Sequence, residues 1–258
     1  MLPAFAQVSS APPSADTTEK IAPRQHRPIQ DRVDHGDGTS TSSNWSGYAV
    51  TGSSFTSAKG SWIVPKATCT STAHQYAAFW VGIDGYSSST VEQTGTDSDC
   101  SGKTPQYYAW YEFYPNPSFE ITSLTIKPGD HMSAKVAFSS SKFTITIEDV
   151  TTGKTFTKSA TVSAAQRTSA EFIAEAPCCT GSGGILPLAD FGTVLFGDDN
   201  TSVTGSCNAK DSSTNGPIGT FPASAIQEIT MEKNSVKEAI PSKLSSDGTS
   251  FSVAWAAH

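Results

Sequence analysis

Five polar residues lie in or next to aromatic, β-forming runs of the sequence: Asp84, Gln93, Asp97, Glu112 and Glu175. A buried Glu or Gln needs hydrogen-bonding partners, because an unpaired polar group in an apolar interior is costly. Burial also raises the pKa of a carboxyl group, which suits the group to proton transfer in an acidic medium. These side chains are therefore candidates for acid–base chemistry.

Glu171 and Glu175 are four positions apart in an apparent strand. In a regular strand both side chains point to the same face, about 13 Å apart at about 3.3 Å per residue. The carboxylate pairs of glycosidases lie about 5–9.5 Å apart, so this pair alone does not fit sugar hydrolysis. Either carboxyl group could still pair with a residue on another strand.

The motifs of other enzyme classes are absent or incomplete. Thr72–His74 and Gly181–Gly184 are only faintly similar to the His and Ser motifs of chymotrypsin-like proteases, because the Cys after the His and the Asp before the Ser are missing. The sequence has no nucleophile elbow, zinc-protease motif or P-loop. Its five cysteines form no C-x-x-C pair and its five His are scattered, so we expect no metal and no cofactor.

Short β-forming runs recur along the chain, without the alternation of strands and helices that parallel sheets need. Apolar and polar residues alternate with a period of two in Phe143–Val150, as in a strand with one buried face. Residues 151–154 are typical of a hairpin turn, which leads to a returning strand at Thr155–Ala160. Ala164–Arg167 and Ala223–Lys233 are candidates for short helices or turns. The pattern predicts an antiparallel β-sandwich or barrel. The other β-forming runs are Trp45–Val50, Tyr76–Ile83, Tyr107–Tyr114, Glu171–Glu175, Thr193–Phe196 and Thr249–Trp255.

Composition and charge argue against two classes of protein. The chain has 258 residues, a formal net charge of −7 and 16% charged residues. A protein that binds nucleic acid normally carries a basic patch, so that class is disfavoured. No run approaches the roughly 18 apolar residues of a membrane-spanning helix, so we expect no membrane partner.

The cysteine count favours an exported protein with two disulfides and one remaining thiol. Cys69 with Cys100 is one reasonable pair, and Cys207 with either Cys178 or Cys179 is another. Five reduced cysteines in a cytosolic protein are the alternative.

Residues 7 to about 40 are rich in proline and basic residues and almost free of aromatic ones. Ala4–Ala6 has the A-x-A form of a signal-peptidase site, although no apolar region precedes it. We therefore assign residues 1–40 to a signal remnant or propeptide plus a linker, and residues 41–258 to one β-sandwich domain. A disordered tail and a propeptide that covers an active site are the two alternatives for the first segment, and composition alone favours the tail. Its basic residues are Lys20, Arg24, Arg27 and Arg32.

Six sequence blocks resemble, in order and with similar spacing, those of the eqolisins, which are pepstatin-insensitive glutamic peptidases. The resemblance covers roughly Ser43 to Trp255. Each block is weak alone, but the ordered set is specific. The blocks are Asn44–Tyr48, Trp80–Gly85, Gln93–Asp97, Ala109–Pro115, Pro128–Asp130 and Ala170–Glu175.

The resemblance implies a secreted acid endopeptidase that is made as a precursor. It implies a sandwich of two large antiparallel sheets, of the concanavalin or lectin-like jelly-roll type, preceded by a propeptide arm. We expect a monomer that acts on polypeptides and binds its own propeptide. The basic residues of the arm would pair with carboxylates of the groove at neutral pH, and self-cleavage near residue 40 would release the arm in acid.

The resemblance also implies roles for individual residues. Gln93 and Glu175 correspond to the catalytic Gln/Glu dyad, in which the carboxylate activates a water molecule. Glu171, the other Glu of its block, is expected to be structural. The substrate-binding groove would include two tryptophans and three supporting acids: Trp45, Trp80, Asp84, Asp97 and Glu112.

Two positions depart from the fungal pattern. Tyr108 stands where an Asp is usual, and Thr96 follows Gln93–Gly95 where an aromatic residue is usual. We expect these changes to alter subsite preference and pH optimum more than the reaction. The alternative function is a non-catalytic carbohydrate- or peptide-binding module, because similar sandwiches serve as lectins and fold alone does not determine function.

Overall fold

The computed structural model describes residues 18–178 and 183–256, and within them it has 19 strands and one four-residue helix. The first strands are β1 (Glu19–Ile21), β2 (Val33–Asp34), β3 (Thr39–Ser42), β4 (Trp45–Thr51), β5 (Ser57–Ile63), β6 (Ala78–Ile83), β7 (Val91–Ser101), β8 (Thr104–Tyr114), β9 (Phe119–Ile121) and β10 (His131–Ser139). They are followed by β11 (Lys142–Asp149), β12 (Lys154–Ala160), β13 (Ser169–Glu175), β14 (Thr193–Gly197), α1 (Asp198–Thr201), β15 (Asn208–Lys210), β16 (Asn215–Pro217), β17 (Ile226–Lys233), β18 (Val236–Pro241) and β19 (Ser250–Trp255). Two 3-10 turns, Ile218–Thr220 and Ala223–Ala225, precede β17.

The strands form two layers. The first layer runs in the order β1, β9, β8, β7, β6, β13, β4, β17, β3, β2. The second runs in the order β18, β19, β14, β5, β10, β11, β12. The hairpin of β17 and β18 joins the two layers, and β15 also pairs with β5. Each of these pairings is antiparallel except β3 with β17, so the predicted antiparallel β-sandwich is confirmed.

The two faces of the first layer differ in what they bury. The inner face packs against the second layer and contributes apolar side chains such as Phe79, Tyr111 and Phe172 to the main core. The outer face carries a second, smaller apolar cluster that includes three tryptophans, Trp45, Trp80 and Trp110. Because successive side chains of a strand point to opposite faces, one strand supplies both the core and the outer face.

Strand β13 lies in the middle of the first layer, between β4 and β6. All seven of its residues are buried. Phe172 and Ala174 belong to the main core, whereas Ile173 belongs to the outer cluster. Glu171 and Glu175 have the same parity as Ile173, so both project from the outer face, as the sequence predicted.

The seven predicted β-forming runs and the returning strand at Thr155–Ala160 all occur as strands, with ends shifted by one to three residues. The turn after β11 contains Gly153 at φ +72°, a conformation that glycine adopts without steric cost. The prediction of a helix or turn over Ala223–Lys233 was wrong beyond its first residues, because β17 begins at Ile226. Its side chains alternate in burial, with Gln227, Ile229 and Met231 inside, which is the period of a strand.

The part of the N-terminal segment that the structure describes, residues 18–38, crosses the outer face of the first layer. It begins as β1, which pairs with β9 at the sheet edge. The backbone N–H of Ala22 then donates to the carbonyl oxygen of Ser118 at 2.9 Å. The backbone N–H of Ile29 donates to the carbonyl oxygen of Gly85 at 3.1 Å. The segment ends at β3, which pairs in parallel with β17.

One predicted disulfide is confirmed, between Cys69 and Cys100. The second was wrong, because Cys207 carries a free thiol that is buried in the main core beside Ser61 of β5. Cys178 instead lies on the outer face, where its main chain pairs with Gln25. The spacing of cysteines in the sequence does not indicate which layer each cysteine packs into, so it could not predict this pairing.

Several predictions concern residues outside the described ranges: Ala4–Ala6, Cys179, and Gly181 with Ser182. Within the described ranges, no helix is long and apolar enough to span a membrane.

Candidate active site

Glu175 ends β13 and is buried on the outer face. Its Oε2 accepts a hydrogen bond from the indole Nε1 of Trp80 at 2.8 Å, and its Oε1 accepts one from the backbone N–H of Arg27 at 3.1 Å. Burial raises the pKa of Glu175 well above its usual value, and these hydrogen bonds offset the rise only in part. Covered in this way, the carboxyl group favours its protonated form.

Gln93 lies on β7, directly opposite Glu112 of β8. Its side-chain Nε2 donates to Glu112 Oε2 at 3.2 Å and to the carbonyl oxygen of His26 at 2.8 Å. The Gln93 side-chain oxygen accepts no hydrogen bond from a described protein group. Glu112 therefore orients the amide so that its N–H groups point to the peptide of residue 26, while its oxygen remains available.

A single peptide unit, the one between His26 and Arg27, connects Gln93 with Glu175. Its carbonyl oxygen accepts from Gln93, and its N–H donates to Glu175. The path through this unit limits the separation of Gln93 Nε2 and Glu175 Oε1 to no more than about 8.5 Å. Two residues that are 82 positions apart in the sequence thus face the two polar atoms of one amide.

The imidazole of His26 is inserted among the acidic side chains and is fully buried. It stacks on Trp110, with 3.6 Å between ring centroids and 6° between planes. Its Nδ1 lies 3.5 Å from Glu175 Oε2 and its Nε2 lies 3.7 Å from Asp97 Oδ1. Burial, followed by the nearby charge of Arg24, lowers the pKa of His26 well below its usual value, so the neutral ring is favoured.

Asp97 and Glu112, two of the acids that the family resemblance assigned to the groove, both contact His26. Burial, followed by repulsion from Asp99, raises the pKa of Asp97 well above its usual value. Burial likewise raises the pKa of Glu112, whose Oε2 accepts the backbone N–H of His26 at 2.9 Å. Tyr108, one of the two departures from the family pattern, donates its hydroxyl to Asp97 at 2.6 Å.

Both predicted groove tryptophans contact the site. Trp80 donates to Glu175, and Trp45 donates its indole N–H to the carbonyl oxygen of Arg27 at 3.1 Å. Their rings meet edge to face, with centroids 4.9 Å apart. The other departure, Thr96, lies on the inner face, where its hydroxyl accepts from Trp62 at 2.8 Å.

Asp84 does not join the other candidates. It follows β6 and accepts the backbone N–H groups of Gln166, Arg167 and Thr168 at 2.7–2.9 Å. Glu175 of β13 lies opposite Ala78, the first residue of β6. Asp84 is six residues further along the chain, so about 20 Å separates it from Glu175, at about 3.3 Å per residue. Asp84 thus holds the loop that leads into β13.

Glu171 lies on the outer face near Asp84 and Glu92, away from the peptide of residue 26. Burial raises its pKa, and Asp84 and Glu92 add repulsion. Burial and repulsion from Asp84 raise the pKa of Glu92 to about 9. The carboxyl groups of Glu171 and Glu92 therefore favour their neutral forms.

Sequence reasoning did not identify His26 as part of the site, expected Arg27 to act through its charge, and assigned Trp110 no role at the dyad. Pro23 and Pro28 flank the first two and favour an extended backbone, which is the one local signal that the sequence offers. The contacts themselves join residues far apart in the chain and depend on the path of the N-terminal segment.

The site opens into a groove on each side of residues 26 and 27. A cavity of about 470 Å³ is lined by Pro23, Arg24, Tyr76 and Tyr108 among others. A second cavity, of about 610 Å³, is lined by residues that include Arg27, Gln30 and Asn44. In the described part of the chain, no group of three or more His, Cys, Asp and Glu side chains is arranged to hold a metal ion.

Comparison with known proteins identifies relatives of this chain. Residues 43–251 match the model of the Peptidase A4 family. Aspergillopepsin-2 of Aspergillus niger is 32% identical over 188 residues, which cover 64% of this chain and 66% of that protein. Scytalidopepsin B of Scytalidium lignicola is 37% identical over 158 residues, which cover 58% and 59%. Both matches span less than two thirds of the relative's own length.

Solved structures give the same result. A scytalido-glutamic peptidase bound to a transition-state analogue inhibitor superposes with a TM-score of 0.69 at 29% identity, covering 83% of this chain and 98% of that one. The aspergilloglutamic peptidase of Aspergillus niger superposes with a TM-score of 0.57 at 28% identity, covering 70% and 99%. The match to the family model covers most of the chain and agrees with the eqolisin resemblance of the sequence blocks. The chain therefore belongs to the Peptidase A4 family.

Proposed function

We propose that this chain is an endopeptidase that hydrolyses peptide bonds of polypeptides in acid, with Gln93 and Glu175 as its catalytic residues. One observation carries the proposal. The side chains of Gln93 and Glu175 face the carbonyl oxygen and the N–H of the same peptide unit. Those are the oxygen that gains negative charge during amide hydrolysis and the nitrogen that leaves.

In the proposed reaction, Glu175 in its ionised form removes a proton from a water molecule as the water attacks the scissile carbonyl carbon. The side-chain oxygen of Gln93 holds that water, and its Nε2 donates to the developing oxyanion. Glu175 then gives the proton to the leaving nitrogen, so the reaction needs no side-chain nucleophile.

The described N-terminal segment bears on when Glu175 can act. Under residues 26 and 27 the carboxyl group is buried and its pKa is raised, so the base form is disfavoured. When the segment leaves, water returns to the site, and the contribution of burial to the pKa decreases. We propose that the chain is a secreted precursor whose residues 1–40 act as a propeptide, in keeping with its disulfide.

The test measures cleavage of an unfolded protein at about pH 3–4, where solvated carboxyl groups titrate, with pepstatin present. Wild type is compared with Glu175→Gln, which keeps the shape of the side chain but removes the base. Each protein carries a recognition site for an unrelated protease in the exposed turn at residues 35–37 and is cut there first, so that activity does not depend on self-processing.

We expect wild type to cleave and Glu175→Gln to lose about 10²–10⁴-fold in rate, the usual contribution of a general base. Glu171→Gln is the matched control, because it alters a buried Glu on the same face of the same strand and should keep its activity. Equal cleavage by wild type and Glu175→Gln would contradict the proposal. A folded wild-type protein that cleaves nothing would point to the binding module instead.

A further inference from the structure

Residues 25–29 lie in the groove, and their main chain makes contacts on both sides of the dyad. Gln25 exchanges two backbone hydrogen bonds with Cys178, at 3.0 and 3.2 Å. Arg27 accepts from the indole of Trp45, and Ile29 donates to Gly85. Main-chain pairing of this kind is how an extended peptide binds to a sheet. The segment therefore occupies the groove in the manner of a substrate.

The side chain before the central amide has a pocket of its own. The ring of His26 stacks flat on Trp110 and lies between Glu175 and Asp97, with no exposed surface. The next side chain along, Arg27, lines the solvent-open cavity on the other side of the amide. The structure thus fixes which bond lies at the reacting groups, because a shift by one residue would move the ring out of its pocket.

We propose that the peptide bond between His26 and Arg27 is the first bond that this enzyme hydrolyses in its own chain. The inference rests on the proposed function and specifies its first substrate. A water molecule attacks the carbonyl carbon of His26, and its proton passes to Glu175. The bond from that carbon to the nitrogen of Arg27 breaks as Glu175 returns the proton to this nitrogen. The products are a new carboxyl terminus at His26 and a new amino terminus at Arg27.

The same contacts explain why the bond survives until activation. The N–H of Arg27 donates directly to Glu175 at 3.1 Å, so the segment must shift before a water can reach both the carboxyl group and the carbonyl carbon. Burial of Glu175 by the segment also disfavours the ionised base. The bound segment is therefore a slow substrate.

This bond is more accessible to the dyad than the region near residue 40, where the sequence alone predicted cleavage. Thr39–Ser42 forms β3, which is hydrogen-bonded to β17 and has Ser40 and Ser42 buried. Cleavage there requires β3 to leave the sheet. We therefore expect any cut near residue 40 to follow the cut after His26.

The test is a time course of the full chain in acid, followed by intact mass and amino-terminal sequencing. We expect fragments 1–26 and 27–258 to appear first, at a rate that does not change over a roughly hundredfold dilution, because an intramolecular step does not depend on concentration. Glu175→Gln should produce neither fragment. Cleavage of an added unfolded protein is measured in the same samples.

Two glycine variants of the segment make the result specific. His26→Gly should slow the cut after residue 26 by about tenfold or more, because it removes a buried, stacked ring. His35→Gly is the matched control, because that histidine is exposed in the same segment, and its rate should equal that of wild type. A synthetic peptide with the sequence of residues 21–32 should be cut by the processed enzyme between its His and the following Arg.

A chain that degrades the added protein but cuts itself first at another bond, or only at a rate proportional to concentration, would overturn the inference and leave the proposed function intact. A chain that cleaves neither itself nor the added protein would overturn both.

Discussion

Asp84 and Glu175 are both fully buried carboxyl groups on the first layer, but they meet different donors. Asp84 accepts three backbone N–H groups from one loop. Glu175 accepts one indole N–H and one N–H from the segment that lies in the groove. The donors to Asp84 belong to a loop of the domain itself. One donor to Glu175 belongs to the segment in the groove, and a substrate peptide could supply the same N–H group in its place. The family resemblance assigned Glu175 to the dyad and Asp84 to the supporting acids of the groove, but in the structure Asp84 accepts from the loop at residues 166–168.

Replacing Asp84 with Ala should lower the free energy of unfolding by about 3 kcal/mol, because three backbone N–H groups of the loop at residues 166–168 would lose their shared, buried acceptor. Denaturant unfolding monitored by tryptophan fluorescence measures this change. In the fraction that folds, KM for a peptide substrate should equal that of wild type.

Asp211→Ala is the matched control for Asp84. Asp211 accepts the backbone N–H groups of Ser213 and Thr214 in a surface turn, where water can replace it. Its loss should cost about 1 kcal/mol or less. An Asp84→Ala protein with unchanged stability and a raised KM would show that Asp84 acts on substrate, as the family resemblance led us to expect.

The strands in which apolar and polar residues alternate clearly, or which contain a run of aromatic residues, were predictable from local sequence. β8 is an example, because its aromatic residues favour a strand whichever face they occupy. β17 was missed because it follows Pro222 and Ala223–Ala225, which form a short turn, and because its alternating side chains include polar ones. Its strand conformation depends on pairing with β3, β4 and β18, which are distant in sequence.

The N-terminal segment shows the same limit more strongly. Its composition alone favoured a disordered tail, whereas the family resemblance favoured a covering propeptide. Neither predicted that the contact at the dyad would be made by His26 and by backbone groups of Arg27. Two of the four basic residues expected to pair with groove carboxylates act differently: Lys20 pairs with Glu120 at the sheet edge, and Arg32 stacks on Tyr86. The charges of Arg24 and Arg27 do act on carboxyl groups of the site, those of Asp99 and Glu112.

Across the whole molecule, buried carboxyl groups with raised pKa values are numerous. They lie on both faces of the first layer, and burial is the main cause of every shift. In the folded protein these groups favour the neutral form, whereas in the unfolded chain they ionise at ordinary acidic pH. They are Glu92, Asp97, Asp99, Glu112, Glu171 and Glu175.

Folding stability should therefore be highest in acid and should fall as the pH rises. A carboxyl group with a raised pKa contributes its stability below the unfolded pKa and loses it as the pH rises toward the folded pKa. For Glu92 that interval extends from its usual value of 4.5 to about 9. Each such group contributes up to about 1.4 kcal/mol per pH unit within its interval. Thermal unfolding of Glu175→Gln, which should not cut itself, measures the profile.

The variant Glu92→Gln on that background should flatten the profile between about pH 5 and 8, because one titrating group is removed. A melting temperature that is equal or higher at pH 8 than at pH 4 would contradict this assignment of buried neutral carboxyl groups.

The central claim is that Gln93 and Glu175 act together on one peptide bond. The most direct test is kcat/KM on a short peptide for Gln93→Ala, Glu175→Gln and the double variant, each cut beforehand in the turn at residues 35–37. Gln93→Ala should lose about 10²–10³-fold, the usual effect of removing an oxyanion donor, and Glu175→Gln at least as much. If the two residues act as a unit, the double variant should be no slower than the slower single variant. Losses that multiply in the double variant, or a Glu175→Gln protein with wild-type kcat/KM, would contradict the claim.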